Sequence, residues 1–262
     1  MTLVFTRRGA GPPLLLLHGI GSARQAWDPV VDALAGRFDV LAPDLPGFGG
    51  SPSLPAGVEP VPAALAASVA AFLDAEGVAA PHVAGNSLGG WVALELAAIR
   101  PPASLTLLSP AGLWRGATPL YNRVSLRATR RLARYFTGLA TRLVRYRAAR
   151  VVILGQTHGR PSRISPEYAR AAVRAMGTCP GFEATMRATE PRRYRAGPPI
   201  AAPVTVAFGT RDRLLLPHQS RHLGELPPHT RVESLPGCGH VPMADDPAAV
   251  AALITGTAGR AR

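Results

Sequence analysis

The chain has 262 residues, 47% of them apolar, and a formal net charge of +13 at pH 7, which fits one large domain with a filled core and excludes a disordered chain. No apolar run reaches the roughly 18 residues that span a bilayer, and all 29 basic residues are Arg. Two cysteines, Cys179 and Cys238, lie far apart without metal-ligand spacing and none of the seven His falls in a ligand cluster, so the chain reads as carrying two reduced thiols, no metal and no cofactor.

Arg7 and Arg8 precede Leu14-Leu15-Leu16-Leu17 in an order like that of a signal peptide. The apolar block is too short for one and reads as a core strand, and the protein reads as cytoplasmic. Residues 3–6 are expected to form an edge strand and 14–17 a buried one. Helices are expected over 27–34, 62–76 and 88–99, each followed by a strand, at 39–42, 82–84 and 104–108. The rhythm resumes with a strand at 204–208, a helix near 219–226, a strand at 231–235 and a last helix at 247–255. Apolar strands interleaved with helices predict an α/β protein whose parallel sheet is covered on both faces.

Between 113 and 197 the rhythm stops, with residues 151–154 the only strand candidate. Leu132, Phe136, Leu139, Leu143 and Tyr146 fall at i, i+4, i+7, i+11 and i+14, one apolar stripe on one helix. This stretch holds 18 Arg against Glu167, Glu183 and Glu190, a net of +15, while the rest of the chain holds 11 Arg and 13 acids. The chain is therefore expected to divide into a core, residues 1–112 and 198–262, and an Arg-rich helical lid, residues 113–197. Such a lid is either a solvated face or a docking surface for something acidic: an anionic substrate, an acidic carrier domain or a membrane surface. Nucleic acid fits less well, because the few aromatic residues mostly lie on the apolar stripe.

Gly85-Asn86-Ser87-Leu88-Gly89-Gly90 joins a buried strand to an apolar helix. Small residues two before and two after the Ser are what a sharp strand-to-helix turn requires, and such a turn lifts the hydroxyl above the sheet edge. The helix N-terminus below it favours developing negative charge. A serine hydroxyl needs a base, and His240, in the loop after the last strand, comes to the carboxyl edge of the sheet where ligand sites of open α/β folds form. Asp212 follows the penultimate strand at the same edge and is the acid expected to orient that base. Asp245 and Asp246 precede Pro247 and read as caps of the last helix. An oxyanion needs two preorganised donors; the N–H of Leu88 is one, and the N–H of Ile20, or Gly21 as second choice, is the other. His18 reads as a residue that fixes its own loop.

Leu17-His18-Gly19-Ile20-Gly21, Asp44-Leu45-Pro46-Gly47-Phe48-Gly49-Gly50-Ser51, the Ser87 turn, Gly209-Thr210-Arg211-Asp212 and Gly239-His240 together resemble the α/β-hydrolase superfamily, in its order of nucleophile, acid and His. The resemblance covers both halves of the core. It implies an eight-stranded, mostly parallel sheet, a lid after the sixth strand, and a structural role for the loop from Asp44 to Ser51. Few residues precede the strand at 14–17, so an edge strand is expected to be missing or short. Epoxide hydrolases and haloalkane dehalogenases resemble this core but attack with a carboxylate, whereas Ser87 suits acyl transfer from an ester, thioester or lactone. Asn86 keeps open a C–C bond hydrolase of ring-cleavage products. Cofactor-free perhydrolases share the same three residues, and the fold also serves non-catalytic binding proteins.

Overall fold

A computed structural model describes residues 2–261. Seven strands, β1 (Phe5–Arg8), β2 (Pro13–Leu17), β3 (Asp39–Pro43), β4 (His82–Asn86), β5 (Ser104–Leu108), β6 (Val204–Gly209) and β7 (Arg231–Leu235), form one sheet in the order β1-β3-β2-β4-β5-β6-β7. All neighbours pair in parallel except β1, which runs antiparallel to β3. Successive strand side chains point to opposite faces, and β2 shows the consequence. Leu15 and Leu17 pack with α2 (Pro62–Ala75) and α3 (Leu88–Ile99), while Leu14 and Leu16 pack with α1 (Asp28–Ala35) and α10 (Pro247–Ala258). An unbroken Leu run is the signature of a strand covered on both sides.

The expected eight strands are seven among the described residues. Ahead of β2 the described residues form a single strand, β1, after which Gly9 (φ 87°) and Gly11 (φ 127°) turn the chain. The edge that results is protected by charge: Arg7 is paired with Asp39 and Glu76, and Arg8 with Asp32.

Between β5 and β6 the chain forms α4 (Leu120–Leu143), α5 (Arg147–Leu154), α6 (Pro166–Thr178) and α7 (Phe182–Thr189). Residues 151–154, expected as a strand, belong to α5. β5 and β6 pair directly, which leaves no strand edge there for Val151 and Val152, and the buried Arg150 guanidinium ties α5 to the carbonyls of Val144 and Ser162 (2.8 and 3.2 Å). The helix expected at 219–226 is a short α8 (Pro217–Ser220) and a separate turn at Leu223–Glu225; Gly224 inside the stretch and Pro227 after it work against a longer helix. The last helical piece, α9 (Pro242–Asp245), leads into α10. Cys179 and Cys238 are free and buried.

Candidate active site

At the end of β4 the backbone of Ser87 takes φ 55°, ψ −118°, a left-handed strain that a non-glycine residue rarely adopts. The neighbours explain how that turn fits. A Cβ on Gly85 would overlap the carbonyl of Gly89, and one on Gly89 would overlap the carbonyl of Leu17 in β2. The N–H of Ser87 donates to the carbonyl of Leu108 (3.1 Å). Leu88 opens α3, so its N–H belongs to the first turn, which has no partner inside the helix.

The loop after β2 approaches the same point. A Cβ on Gly19 would lie 3.1 Å from the Ser87 Cβ, and Ile20 shares a cavity wall with Ser87. This loop is fixed by His18, whose Nδ1 donates to the carbonyl of Gly19 (2.8 Å) and whose Nε2 accepts the N–H of Leu45 (2.9 Å). Burial lowers the His18 pKa and keeps the ring neutral, as that pair of bonds requires. Asp44 accepts the N–H groups of Arg24 (2.7 Å) and Gly50 (2.8 Å) and pairs with the Arg24 guanidinium, and Ser51 Oγ accepts the N–H of Val4 (2.9 Å). The loop from Asp44 to Ser51 thus braces the sheet edge next to the His18 loop.

His240 and Asp212 meet where the loops after β7 and β6 converge. His240 Nδ1 and Asp212 Oδ2 are 3.0 Å apart, with both side chains buried. Asp212 Oδ1 accepts the N–H groups of Leu214 (2.9 Å) and Leu215 (2.8 Å). Burial by itself would raise the carboxyl, but the charge and hydrogen bond of His240 and the two backbone donors outweigh it, so Asp212 titrates below the usual carboxylate range. Glycines let the loops touch: a Cβ on Gly209 would overlap the carbonyl of Gly239, and one on Gly239 would run into residues 157–159.

Three further residues hold this arrangement, Asn86 and Asp245 in roles other than those the sequence suggests and Asn122 unmarked by it. Asn86 donates through Nδ2 to the carbonyls of Leu108 (3.0 Å) and His240 (2.8 Å), tying the His240 backbone to the end of β4. Asp245 is not a cap of α10; that is Asp246, which accepts the N–H of Ala249 (3.1 Å). Asp245 instead accepts the N–H groups of Gly159 and Gly239 (both 2.7 Å) and of Arg160 (2.8 Å), clamping the segment before His240 against the helical insertion. Asn122 on α4 donates to the carbonyl of Leu214 (2.5 Å), while its buried Oδ1 has no partner among the described residues. Its polar amide within a helical pattern was the one available signal.

A cavity of about 40 Å³ opens at Ser87, walled by Ile20, Trp91, Asn122, Leu126, Met186 and Leu215. That is room for about three waters, the size of a short acyl group. Asn122 and Leu126 come from α4 and Met186 from α7, so the insertion closes one side of it. Among the described residues no group of three or more His, Cys, Asp or Glu is placed to hold a metal ion, and no helix is long and apolar enough to cross a membrane.

The sequence model of the alpha/beta hydrolase family matches residues 14–253. An uncharacterized protein of Mycobacterium tuberculosis is 30% identical over 260 residues, covering 93% of this chain and 74% of its own. The epoxide hydrolase EphH of the same organism is 30% identical over 205 residues, 74% of this chain and 92% of its own. Among solved structures, the enol-lactonase of Burkholderia xenovorans superposes with a TM-score of 0.78 at 22% identity, over 98% of this chain and 96% of that one.

Proposed function

The chain belongs to the alpha/beta hydrolase family, and from that premise we propose that it is a serine hydrolase cleaving an ester, thioester or lactone through an acyl-enzyme on Ser87. The observation that carries this reading is a serine held at φ 55° beside a small apolar cavity, at the same sheet edge as a His240–Asp212 hydrogen bond of 3.0 Å. In this reading His240 Nε2 takes the Ser87 Oγ proton as Oγ attacks the acyl carbon. The backbone N–H groups of Leu88 and Ile20, with Gly21 as the alternative second donor, receive the oxyanion. His240 then protonates the leaving oxygen or sulfur, and a water, deprotonated by the same nitrogen, releases the acid and frees Ser87. Residues 113–197 act as a lid whose α4 and α7 side chains select the acyl group.

The reaction named for the epoxide hydrolase relative fits this site poorly, because opening an epoxide through an alkyl-enzyme ester needs a carboxylate where Ser87 stands. The C–C hydrolase reading comes from the resemblance at Asn86, and turnover of a vinylogous diketone in place of p-nitrophenyl acetate would replace ester cleavage with it. A fluorophosphonate probe tests the proposal: the native protein labels and turns over p-nitrophenyl acetate, and Ser87→Ala does neither. A folded native protein that neither labels nor hydrolyses would instead be a binding protein on this fold.

A further inference from the structure

α4 is assembled the wrong way round for a helix facing water. Its sheltered side carries the charge: Arg123 and Arg127 pair with Glu190, and Arg130 donates to the carbonyls of Gly177 (2.6 Å) and Cys179 (3.2 Å). Small residues complete that side, with Ala133 and Thr137 pressed on Gly177 of α6. The outer side carries Leu132, Tyr135, Phe136, Leu139 and Leu143, each between 38% and 70% exposed; Tyr146, expected on the same stripe, lies past the end of α4 in extended backbone ahead of α5 and is also exposed. Among the described residues, eleven of the fifteen large apolar side chains that remain exposed lie between Leu120 and Val152. Scattered exposed apolar residues need no explanation, but a contiguous row marks a contact surface.

The charges beside the row say what kind. Residues 96–166 contain 13 Arg and neither Asp nor Glu. Arg131, Arg134, Arg142 and Arg147 are exposed and join no ion pair among the described residues. The three acids of the insertion are already paired, Glu167 with Arg170, Glu183 with Arg127, and Glu190 with Arg123 and Arg127. A second copy seated on this face would therefore bring two rows of Arg together with no free acid between them. An acidic protein would satisfy the Arg and leave the Leu and Phe row wet. A surface that is anionic outside and apolar just beneath satisfies both.

We propose that α4 docks this protein on an anionic lipid bilayer. The helix lies in the headgroup plane, its apolar row reaching the acyl boundary and its free Arg meeting lipid phosphates. The helix is kinked at Phe136 (φ −113°, ψ 20°), so the row crosses two helical stretches, Leu132 before the kink and Leu139 and Leu143 after it. Long Arg stems suit the position, since they cover apolar surface while the guanidinium stays at phosphate level. The docking stands independently of any reaction at Ser87.

Co-sedimentation of the full chain with vesicles tests it. The protein should pellet with mixed phosphatidylglycerol–phosphatidylcholine vesicles and stay in the supernatant with phosphatidylcholine alone. Leu139→Asp should weaken binding at least about tenfold by removing a Leu that docking would bury. Arg131→Gln and Arg134→Gln should each weaken it roughly fivefold, with melting temperature unchanged. Should Leu139→Asp melt early, Leu132→Ser must still release the protein. Failure to bind the anionic vesicles at low salt would overturn the proposal. So would binding that the Arg variants weaken and the Leu variants leave intact, which is plain electrostatic adsorption. A dimer in solution that Leu139→Asp dissociates would assign the face to a second copy and overturn it equally.

Discussion

Replacing Asp212 by Asn changes the reaction through one hydrogen atom on His240. Asp212 Oδ1 accepts two backbone N–H groups, from Leu214 and Leu215, so an amide at this position must keep its oxygen on that side. A flipped amide would set its NH₂ against two donors and leave them buried and unpaired, at a cost of about 1–3 kcal/mol each. The NH₂ therefore faces His240 Nδ1, which must become the acceptor, and the ring proton moves to Nε2. In that tautomer Nε2 has no lone pair for the Ser87 proton. The expected loss in kcat is about 10⁴-fold, or about 5.4 kcal/mol at 1.36 kcal/mol per tenfold. KM for p-nitrophenyl acetate should change little, and residual activity should rise toward high pH. The assay is steady-state hydrolysis compared with Asp246→Asn, which alters the carboxylate that caps α10 and should cost far less in kcat. An Asp212→Asn variant within about tenfold of the native rate would refute the assignment of Asp212 as the orienting acid.

Other consequences are open to simpler measurements. Burial lowers the His158 pKa from 6.5 to about 4, so below pH 6.5 the unfolded chain binds a proton that the native state refuses. Stability should fall by about 3 kcal/mol between pH 6.5 and about pH 4 on this account; in His158→Gln the loss of urea midpoint over that window should shrink, and an unchanged slope would disprove it. Asn86→Ala strands the buried His240 carbonyl and leaves the Leu108 carbonyl only its Ser87 donor, so it should lower unfolding free energy by about 1–3 kcal/mol and reduce kcat more than it alters KM. Leu126→Ala enlarges the roughly 40 Å³ cavity, and the kcat/KM ratio of butyrate to acetate nitrophenyl esters should rise by about tenfold or more; no change would mean that acyl groups bind elsewhere.

The sheet edge was legible because its residues obey rules that leave little choice. The Leu14–Leu17 run reads as a doubly covered strand, and Gly85 and Gly89 flank Ser87 because a Cβ at either would strike the backbone of a neighbouring element. His240 and Asp212 were placed by strand ends, and strand ends follow from the βα rhythm. Asp245 was misread for a physical reason. An acid just before Pro247 has the local look of a cap, but its partners Gly159 and Arg160 are more than eighty residues away in sequence, and no local pattern announces them. Val151 and Val152 were ambiguous in the same way, since β-branched residues favour a strand only where a neighbouring edge is free to receive one.

α4 marks the limit of periodicity as a guide. The repeat of Leu132, Phe136, Leu139 and Leu143 identifies one side of α4, while Tyr146, at the next step of the same period, falls past the helix end; period alone is blind both to where a helix stops and to what its side meets. A core and a lipid headgroup region select the same apolar row. What distinguishes them is where the charges on the opposite side go, and this can be read only from long-range partners. Arg123 and Arg127 find Glu190, and Arg130 finds two carbonyls at the end of α6. Once those cations are fixed inward the row has to face outward. The same rotation sets Asn122 and Leu126 on the wall of the Ser87 cavity, so one helix separates that cavity from its outer apolar face. A change that rolls α4, such as Glu190→Ala, which frees Arg123 and leaves Arg127 only Glu183, should therefore disturb vesicle binding and acyl preference together.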